Sequence, residues 1–300
     1  MEIRKFFLCL LGVGLLIDAT PLSAAAKKRK PVEKLPAGVQ VIRDLEYKQP
    51  FRRPLLLDLY RPKQVSKKLP VVVWIHGGGW KNGSKDKCPA SWLATHGFAV
   101  ASINYRLTPE AQWPAQINDC REAVRWLRKN AGKFRLDGNN IGIWGSSAGG
   151  HLVAILGTID APVGEKVSSR VQAACDWFGP TDLLTMPPNT VSKDRSLEMV
   201  AKSNGAKLLG ATVRDIPDKA RHASGLYHVS ADDPPFLVMH GDEDPGVPIS
   251  QSERFVKALR AAKVDVTWQV VKGAGHGGKL FKTPEMSAVV RRFFERTLKN

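Results

Sequence analysis

Short, continuous runs of β-branched and aromatic residues alternate along this chain with longer segments of helical periodicity. The runs at 70–76 ("PVVVWIH") and 98–105 ("FAVASINY") are typical of strands that are buried on both faces. Further strands are predicted at 139–145, 171–178, 235–241 and 264–271, and helices at 114–132, 151–159, 250–263 and 283–299. Strands that alternate with helices form parallel βαβ units. The sequence therefore predicts an α/β protein with a mostly parallel, doubly wound sheet and helices on both faces.

Two segments frame this alternating core. Residues 39–47 and 55–60 show partial alternation of apolar and polar side chains, which predicts an opening pair of antiparallel strands. Residues 179–233 are irregular and rich in Pro, Asn and Lys, which indicates a small insertion over one end of the sheet, near the functional site. No linker divides the remainder, and we expect residues 39–300 to form a single α/β domain.

The first 26 residues have the features of a secretory signal peptide. Arg4 and Lys5 precede an apolar run at 6–17, and the small residues at 23–26 predict cleavage before Lys27. The alternative, a membrane anchor, is disfavoured because the apolar run is short for a bilayer span. We therefore expect a secreted or periplasmic protein without a transmembrane segment after cleavage, beginning with a basic tail at 27–38.

The net charge of +17 raises the question of a nucleic-acid partner. The lysines and arginines are spread along the chain, and no nucleic-acid-binding motif accompanies them, so solubility or attraction to an acidic polymer is the preferred interpretation. The cysteines after the signal peptide are Cys88, Cys120 and Cys175. They permit at most one disulfide, and three buried thiols fit the sequence equally well.

The segment "IGIWGSSAGGHL" contains a candidate nucleophile between a predicted strand and a predicted helix. Its glycines fit G-x-S-x-G with Ser147 at the centre, whereas Trp144 rules out the same spacing around Ser146. This pattern lets a strand turn sharply into a helix and leaves the serine hydroxyl exposed. Ala148, the residue after the serine, places a backbone N–H at a helix N-terminus, where it can stabilise an oxyanion.

A serine hydroxyl needs a base, and the base needs a carboxylate to orient it. His276, in "GAGHGG" after the last predicted strand, is the candidate base because it lies on a glycine-rich loop in the required chain order. Structural roles are predicted for the competing histidines, which are His151, His222, His228 and His240. The acid should follow the strand at 235–241, where Asp242, Glu243 and Asp244 all remain candidates on spacing.

A second glycine-rich loop, "HGGGW" at 76–80, follows an earlier buried strand. Its glycines allow the backbone to approach a substrate carbonyl closely, so this loop is the expected source of further oxyanion donors.

Together with "NYRLTPE" and "DDPPFLVMHGDEDPGVP", these motifs resemble the α/β-hydrolase superfamily, and in particular its small secreted acetyl-xylan and feruloyl esterase-like group. A more distant similarity extends to the hormone-sensitive-lipase branch. The resemblance implies the α/β-hydrolase fold, with Ser147 as nucleophile, His276 as base and Asp244 as acid. It also implies oxyanion donors at Gly78, Gly79 and Ala148, and neither metal nor cofactor.

The resemblance implies a secreted serine carboxylesterase for short-chain acyl esters, including acetyl or feruloyl esters of polysaccharides. The cap helices of the hormone-sensitive-lipase branch have no counterpart before the first strand, which favours an open site. Two alternatives stay open: a peptidase or amidase of the prolyl-oligopeptidase type, and a non-catalytic protein that binds an acidic polymer on a hydrolase scaffold. Oligomeric state is not predicted by the sequence.

Overall fold

The structure is a computed structural model that describes residues 35–50 and 53–299. The predicted signal peptide at 1–26 and most of the basic tail at 27–38 lie outside these residues. No helix within the described part of the chain is both long and apolar enough to cross a membrane.

A single sheet of eight strands forms the centre of the described chain, in the order β1-β2-β4-β3-β5-β6-β7-β8. The first two strands are joined to the sheet in antiparallel fashion, and all later pairings are parallel. The strands are β1 (Val39–Lys48), β2 (Leu55–Pro62), β3 (Leu69–Ile75), β4 (Ala99–Ile103), β5 (Leu136–Ser146), β6 (Ala173–Trp177), β7 (Phe236–Gly241) and β8 (Val266–Val271).

Helices cover both faces of this sheet, because each face carries its own apolar surface. The helices are α1 (Ala115–Lys129), α2 (Ala131–Phe134), α3 (Ala148–Thr158), α4 (Leu197–Ala201), α5 (Asn204–Leu209), α6 (Pro217–His222), α7 (Ser250–Ala261) and α8 (Pro284–Leu298). Helices α1, α3 and α7 pack with one face. Helix α8 and a short 3₁₀ helix at Ser91–His96 pack with the other.

Strand β3 shows how the sequence produces this layering. All of its residues are buried. Val71, Val73 and Ile75 point into the core beneath α1 and α3, whereas Val72 and Trp74 point into the core beneath α8. Because successive side chains of a strand alternate between faces, a continuous apolar run is needed to supply two cores at once.

The predicted α/β class and doubly wound sheet are confirmed, and the element bounds differ by a few residues. Strand β5 begins at Leu136, before the predicted 139, because Leu136 pairs with Leu69 ahead of an irregularity that precedes the Val71–Ile141 pair. The polar residues between these pairs include Asp137, whose carboxylate accepts the N–H of Asn139 as in a turn. Because these residues are polar, the apolar pattern predicted a strand that starts three residues too late.

The insertion at 179–233 contains α4, α5, α6 and short 3₁₀ helices. Cys88, Cys120 and Cys175 are all buried as thiols. Of the two arrangements that the sequence allowed for them, the structure has the one with buried thiols.

Candidate active site

Ser147 lies on the turn between β5 and α3, with backbone angles of φ 55° and ψ −120°. This positive φ is uncommon for a residue with a side chain and indicates local strain. The backbone N–H of Ser147 donates to the carbonyl of Trp177 at 2.9 Å, and its own carbonyl accepts from His151 N–H at 2.9 Å. The strained turn is therefore fixed on both sides by the sheet and by the first turn of α3.

Gly149 explains why this turn requires small residues. A Cβ atom at Gly149 would lie 2.0 Å from the carbonyl oxygen of Ile75, on neighbouring strand β3. A side chain there would force α3 away from the sheet. The close approach of α3 to β3 is therefore the reason why the motif has glycine at position 149.

The structure brings Ser147, His276 and Asp244 together in one hydrogen-bonded array. Ser147 Oγ lies 2.8 Å from His276 Nε2, and His276 Nδ1 lies 2.7 Å from Asp244 Oδ2. Because a carboxylate only accepts hydrogen bonds, Nδ1 carries the proton and Nε2 is free to accept from the serine hydroxyl. The three residues come from loops at the same edge of the sheet, where the carboxyl ends of the parallel strands meet.

Asp244 is held in its ionised form. Its side chain has no exposed surface, and burial alone would raise its pKa. Hydrogen bonds from His240, His276 and the backbone N–H groups of Val247 and Gly246 outweigh burial and hold the pKa of Asp244 well below its ordinary value. A carboxylate that stays charged can orient His276 and stabilise its protonated form.

The other acidic candidates occupy different positions. The Asp242 carboxylate accepts the backbone N–H of Gly273 at 2.7 Å and so braces the loop that leads to His276. Glu243 is exposed, and its backbone N–H pairs with the carbonyl of Ala274. Among the described residues, Asp244 is the carboxylate that contacts His276 Nδ1.

The competing histidines make hydrogen bonds to groups other than Ser147. His151 is buried between Trp80 and the carbonyl of Ala223. His222 accepts the indole N–H of Trp113 at 2.9 Å, and His228 Nε2 lies 3.0 Å from the carbonyl of His222. His240 is buried behind Asp244, next to Ser252 and the carbonyl of Val247.

The glycine-rich loop after β3 lies beside Ser147 because β3 and β5 are paired up to Ile75 and Gly145. Gly78 and Gly79 have φ of 112° and 59°, values that favour glycine. Both residues line the same cavity as Ser147 and Ala148. The structure thus places the three predicted oxyanion donors at one site, and their roles stay predictions.

This cavity has a volume of about 600 Å³ and opens over the serine. Its walls are largely aromatic and apolar, and the insertion supplies one side of them. The lining from the sheet edge includes Trp74, Trp80, Trp177, Phe178 and Phe281, and that from the insertion includes Met186, Pro188, Asn189, Asn204 and Gly205.

Sequence reasoning did not identify two contributors to this site. The Phe178 ring packs against the His276 ring, with centroids 4.9 Å apart, and so limits where the imidazole can move. His240 was predicted to be a packed structural histidine, and its contact with Asp244 was not anticipated. Its position four residues before Asp244 in the "HGDED" segment was the available signal.

The eight-stranded sheet, with Ser147 on the turn after β5, Asp244 after β7 and His276 after β8, has the architecture of an α/β-hydrolase. The family model named BD-FAE matches residues 57–259. The chain belongs to the BD-FAE family of α/β-hydrolases.

Individual relatives agree with this assignment. Esterase LipC of Mycobacterium tuberculosis is 34% identical over 233 residues, which cover 74% of this chain and 56% of LipC. The chain thus spans little more than half the length of this curated relative. A truncated carbohydrate esterase from gut microbiota has a TM-score of 0.76 at 30% identity, covering 87% of this chain and 97% of that one. The bifunctional GH43-CE protein of Bacteroides eggerthii has the same TM-score at 32% identity, covering 86% and 35%.

Proposed function

We propose that this protein is a serine carboxylesterase. The observation that carries the proposal is the continuous hydrogen-bonded array from Ser147 Oγ through His276 to Asp244, located on an open cavity. The relatives named esterase and carbohydrate esterase support the same activity.

The chemistry follows from the array. His276 Nε2 removes the proton of Ser147 as Oγ attacks the ester carbonyl, and Asp244 stabilises the imidazolium that forms. The N–H groups of Gly78, Gly79 and Ala148 bind the negative charge that develops on the carbonyl oxygen. The imidazolium then protonates the departing alcohol, which leaves an acyl group on Ser147. A water molecule, deprotonated by His276, releases the acid and restores the serine.

The proposed substrates are short-chain acyl esters, with acetyl or feruloyl esters of polysaccharides as the natural class. The carbohydrate esterase from gut microbiota, among the structural relatives, supports a carbohydrate-linked ester. The aromatic walls of the cavity supply apolar surface for the acyl group, and its open side leaves room for a large alcohol.

We also propose that the protein is exported. The support is the pattern of the first 26 residues, in which a basic start, an apolar run and small residues follow one another. Expression of the full chain with N-terminal sequencing of the product tests this directly. A mature protein beginning at Lys27 in the exported fraction is the expected result, and a protein that stays inside the cell with its N-terminus intact would contradict the proposal.

The nucleophile is tested by p-nitrophenyl acetate hydrolysis. Ser147→Ala should abolish turnover, whereas Ser146→Ala, a matched change at the adjacent residue, should spare most of it. Residual activity in both variants would overturn the assignment. The same preparations, offered acetylated xylan and a peptide p-nitroanilide, separate esterase from peptidase activity. Faster cleavage of the anilide would favour the prolyl-oligopeptidase type.

A further inference from the structure

A second histidine lies directly behind the acid of the proposed array. His240 occupies β7 just before its end, and its side chain has no exposed surface. His240 contacts polar groups of three residues, which are Ser252, Val247 and Asp244.

Two hydrogen bonds fix the orientation of the His240 ring. Nδ1 lies 2.7 Å from the Ser252 hydroxyl on α7, and Nε2 lies 2.9 Å from the carbonyl oxygen of Val247. A carbonyl oxygen can only accept, so Nε2 carries a hydrogen atom. A rotation of the ring would break both bonds. Because the ring is fully buried, its nitrogen atoms would then have no water to bind in their place.

The same Nε2 lies 3.3 Å from Asp244 Oδ2, the oxygen that pairs with His276. The other oxygen, Oδ1, accepts the backbone N–H groups of Gly246 at 2.8 Å and Val247 at 2.9 Å. Val247 therefore donates to Asp244 through its N–H and accepts from His240 through its carbonyl. His240 thus contacts Oδ2 of the carboxylate directly. Through the Val247 carbonyl it also fixes the turn whose N–H groups bind Oδ1.

We propose that His240 is a positioning residue that aligns Asp244 with His276. The inference rests on the proposed esterase function. His240 makes no hydrogen bond to Ser147 or His276 and reaches His276 through the Asp244 carboxylate, while its ring also lies beside that of Phe178, with centroids 6.4 Å apart. Small displacements of catalytic groups lower rates strongly, since proton transfer depends on alignment.

The test compares four variants in p-nitrophenyl acetate hydrolysis: His240→Leu, His240→Gln, Asp244→Asn and the double variant of His240→Leu with Asp244→Asn. His240→Leu, which removes all three polar contacts and has a similar size, should lower kcat about tenfold or more and leave KM within about twofold. His240→Gln, whose amide N–H can reach the Val247 carbonyl, should restore most of that loss. In the Asp244→Asn background, His240→Leu should change kcat by less than about twofold, since its effect passes through the carboxylate.

A folded His240→Leu variant with unchanged kcat would overturn the proposal, as would an equal loss of kcat in the Asp244→Asn background. If His240→Leu does not fold, Ser252→Ala takes its place, because it frees Nδ1 and keeps the ring. A drop in kcat at unchanged KM supports the proposal, and an unchanged kcat contradicts it. A wild-type protein without esterase activity would refute the proposed function and this inference together, whereas an active wild type with unaffected variants refutes this inference alone.

Discussion

Trp80 donates its indole N–H to Nδ1 of His151 across 3.2 Å, which joins the glycine-rich loop to the first turn of α3. The opposite ring nitrogen, Nε2, lies 2.7 Å from the carbonyl of Ala223 in the insertion. One buried imidazole thus ties together the loop beside Ser147, the helix that follows Ser147 and the insertion that walls the cavity. Burial lowers the pKa of His151 to about 4, so its ring is neutral at pH 7.

Replacement of His151 by leucine should destabilise the protein by about 2–4 kcal/mol at pH 7, because it leaves a buried indole N–H and a buried carbonyl without partners. In the unfolded chain this histidine binds a proton near pH 6.5, so its stabilising contribution is present above that pH and is lost as the pH falls toward about 4. Urea denaturation at pH 7 and pH 4.5 measures the effect.

The control for this change is Trp80→Phe, which removes the indole donor and keeps an aromatic ring. It should cost less than His151→Leu, since the bond to Ala223 survives. A loss of stability from His151→Leu that is the same at both pH values would contradict the assignment of a neutral buried ring.

Asp244→Asn should lower kcat for p-nitrophenyl acetate by about 10³–10⁴-fold, because an amide cannot fix the correct His276 tautomer. Asp242→Asn should have a much smaller effect, since Asp242 bonds the backbone of Gly273 rather than the His276 ring. Initial rates at saturating substrate decide between them. A larger loss at position 242 would reverse the choice of acid.

Asp176, on β6, carries a buried carboxyl group that the proposed chemistry does not use. Its Oδ1 accepts the N–H of Gly179 at 2.9 Å, while Oδ2 has no hydrogen-bond partner among residues 35–50 and 53–299. Burial raises the pKa of Asp176 to about 6. As the pH rises, the unfolded chain therefore releases this proton before the folded protein does. The free energy of unfolding falls between about pH 4 and pH 6, and the full loss is present above pH 6.

Asp176→Asn should raise the free energy of unfolding at pH 7 by about 1–3 kcal/mol relative to wild type, and this gain should disappear near pH 4. Chemical denaturation at both pH values provides the measurement, with Asp194→Asn at an exposed position as the control. If the substitution instead destabilises the protein equally at both pH values, the Asp176 carboxyl group makes a further hydrogen bond in solution.

Gly149→Ala should destabilise the protein by more than about 2 kcal/mol and lower its activity, because the added methyl group meets the Ile75 carbonyl. Gly132→Ala is the matched control, since a Cβ at Gly132 meets nothing within 4 Å. That change should be neutral or slightly stabilising, as expected for alanine in a helix. Thermal unfolding followed by circular dichroism compares the two, and similar melting temperatures would contradict the close approach at Gly149.

The parts of this protein that sequence reasoning predicted best are those set by local pattern. Continuous apolar runs gave the parallel strands, and the spacing around Ser147 predicted the turn that the structure places between β5 and α3. The residues assigned to nucleophile, base and acid meet within hydrogen-bonding distance, while their catalytic roles stay predictions.

The parts that sequence reasoning missed depend on contacts between distant segments. His240 and Ser252 meet only because α7 packs against β7. The link from His151 to Ala223 spans 72 positions of the chain, and no periodicity encodes it. Spacing on its own also left Asp242, Glu243 and Asp244 as candidates, because the direction of each carboxylate is set by the turn up to Val247 rather than by the order of residues.

The three buried thiols have a practical consequence. Burial raises the pKa of both Cys120 and Cys175, and a thiol that does not ionise is a poor nucleophile toward disulfides and alkylating dyes. In the folded protein these buried sulfur atoms should react slowly, so an oxidising environment should leave the folded protein unchanged. Once the core opens, the same atoms become reactive. In protein cleaved before Lys27, which no longer carries Cys9, a thiol-specific dye would then count the unfolded molecules without any engineered label.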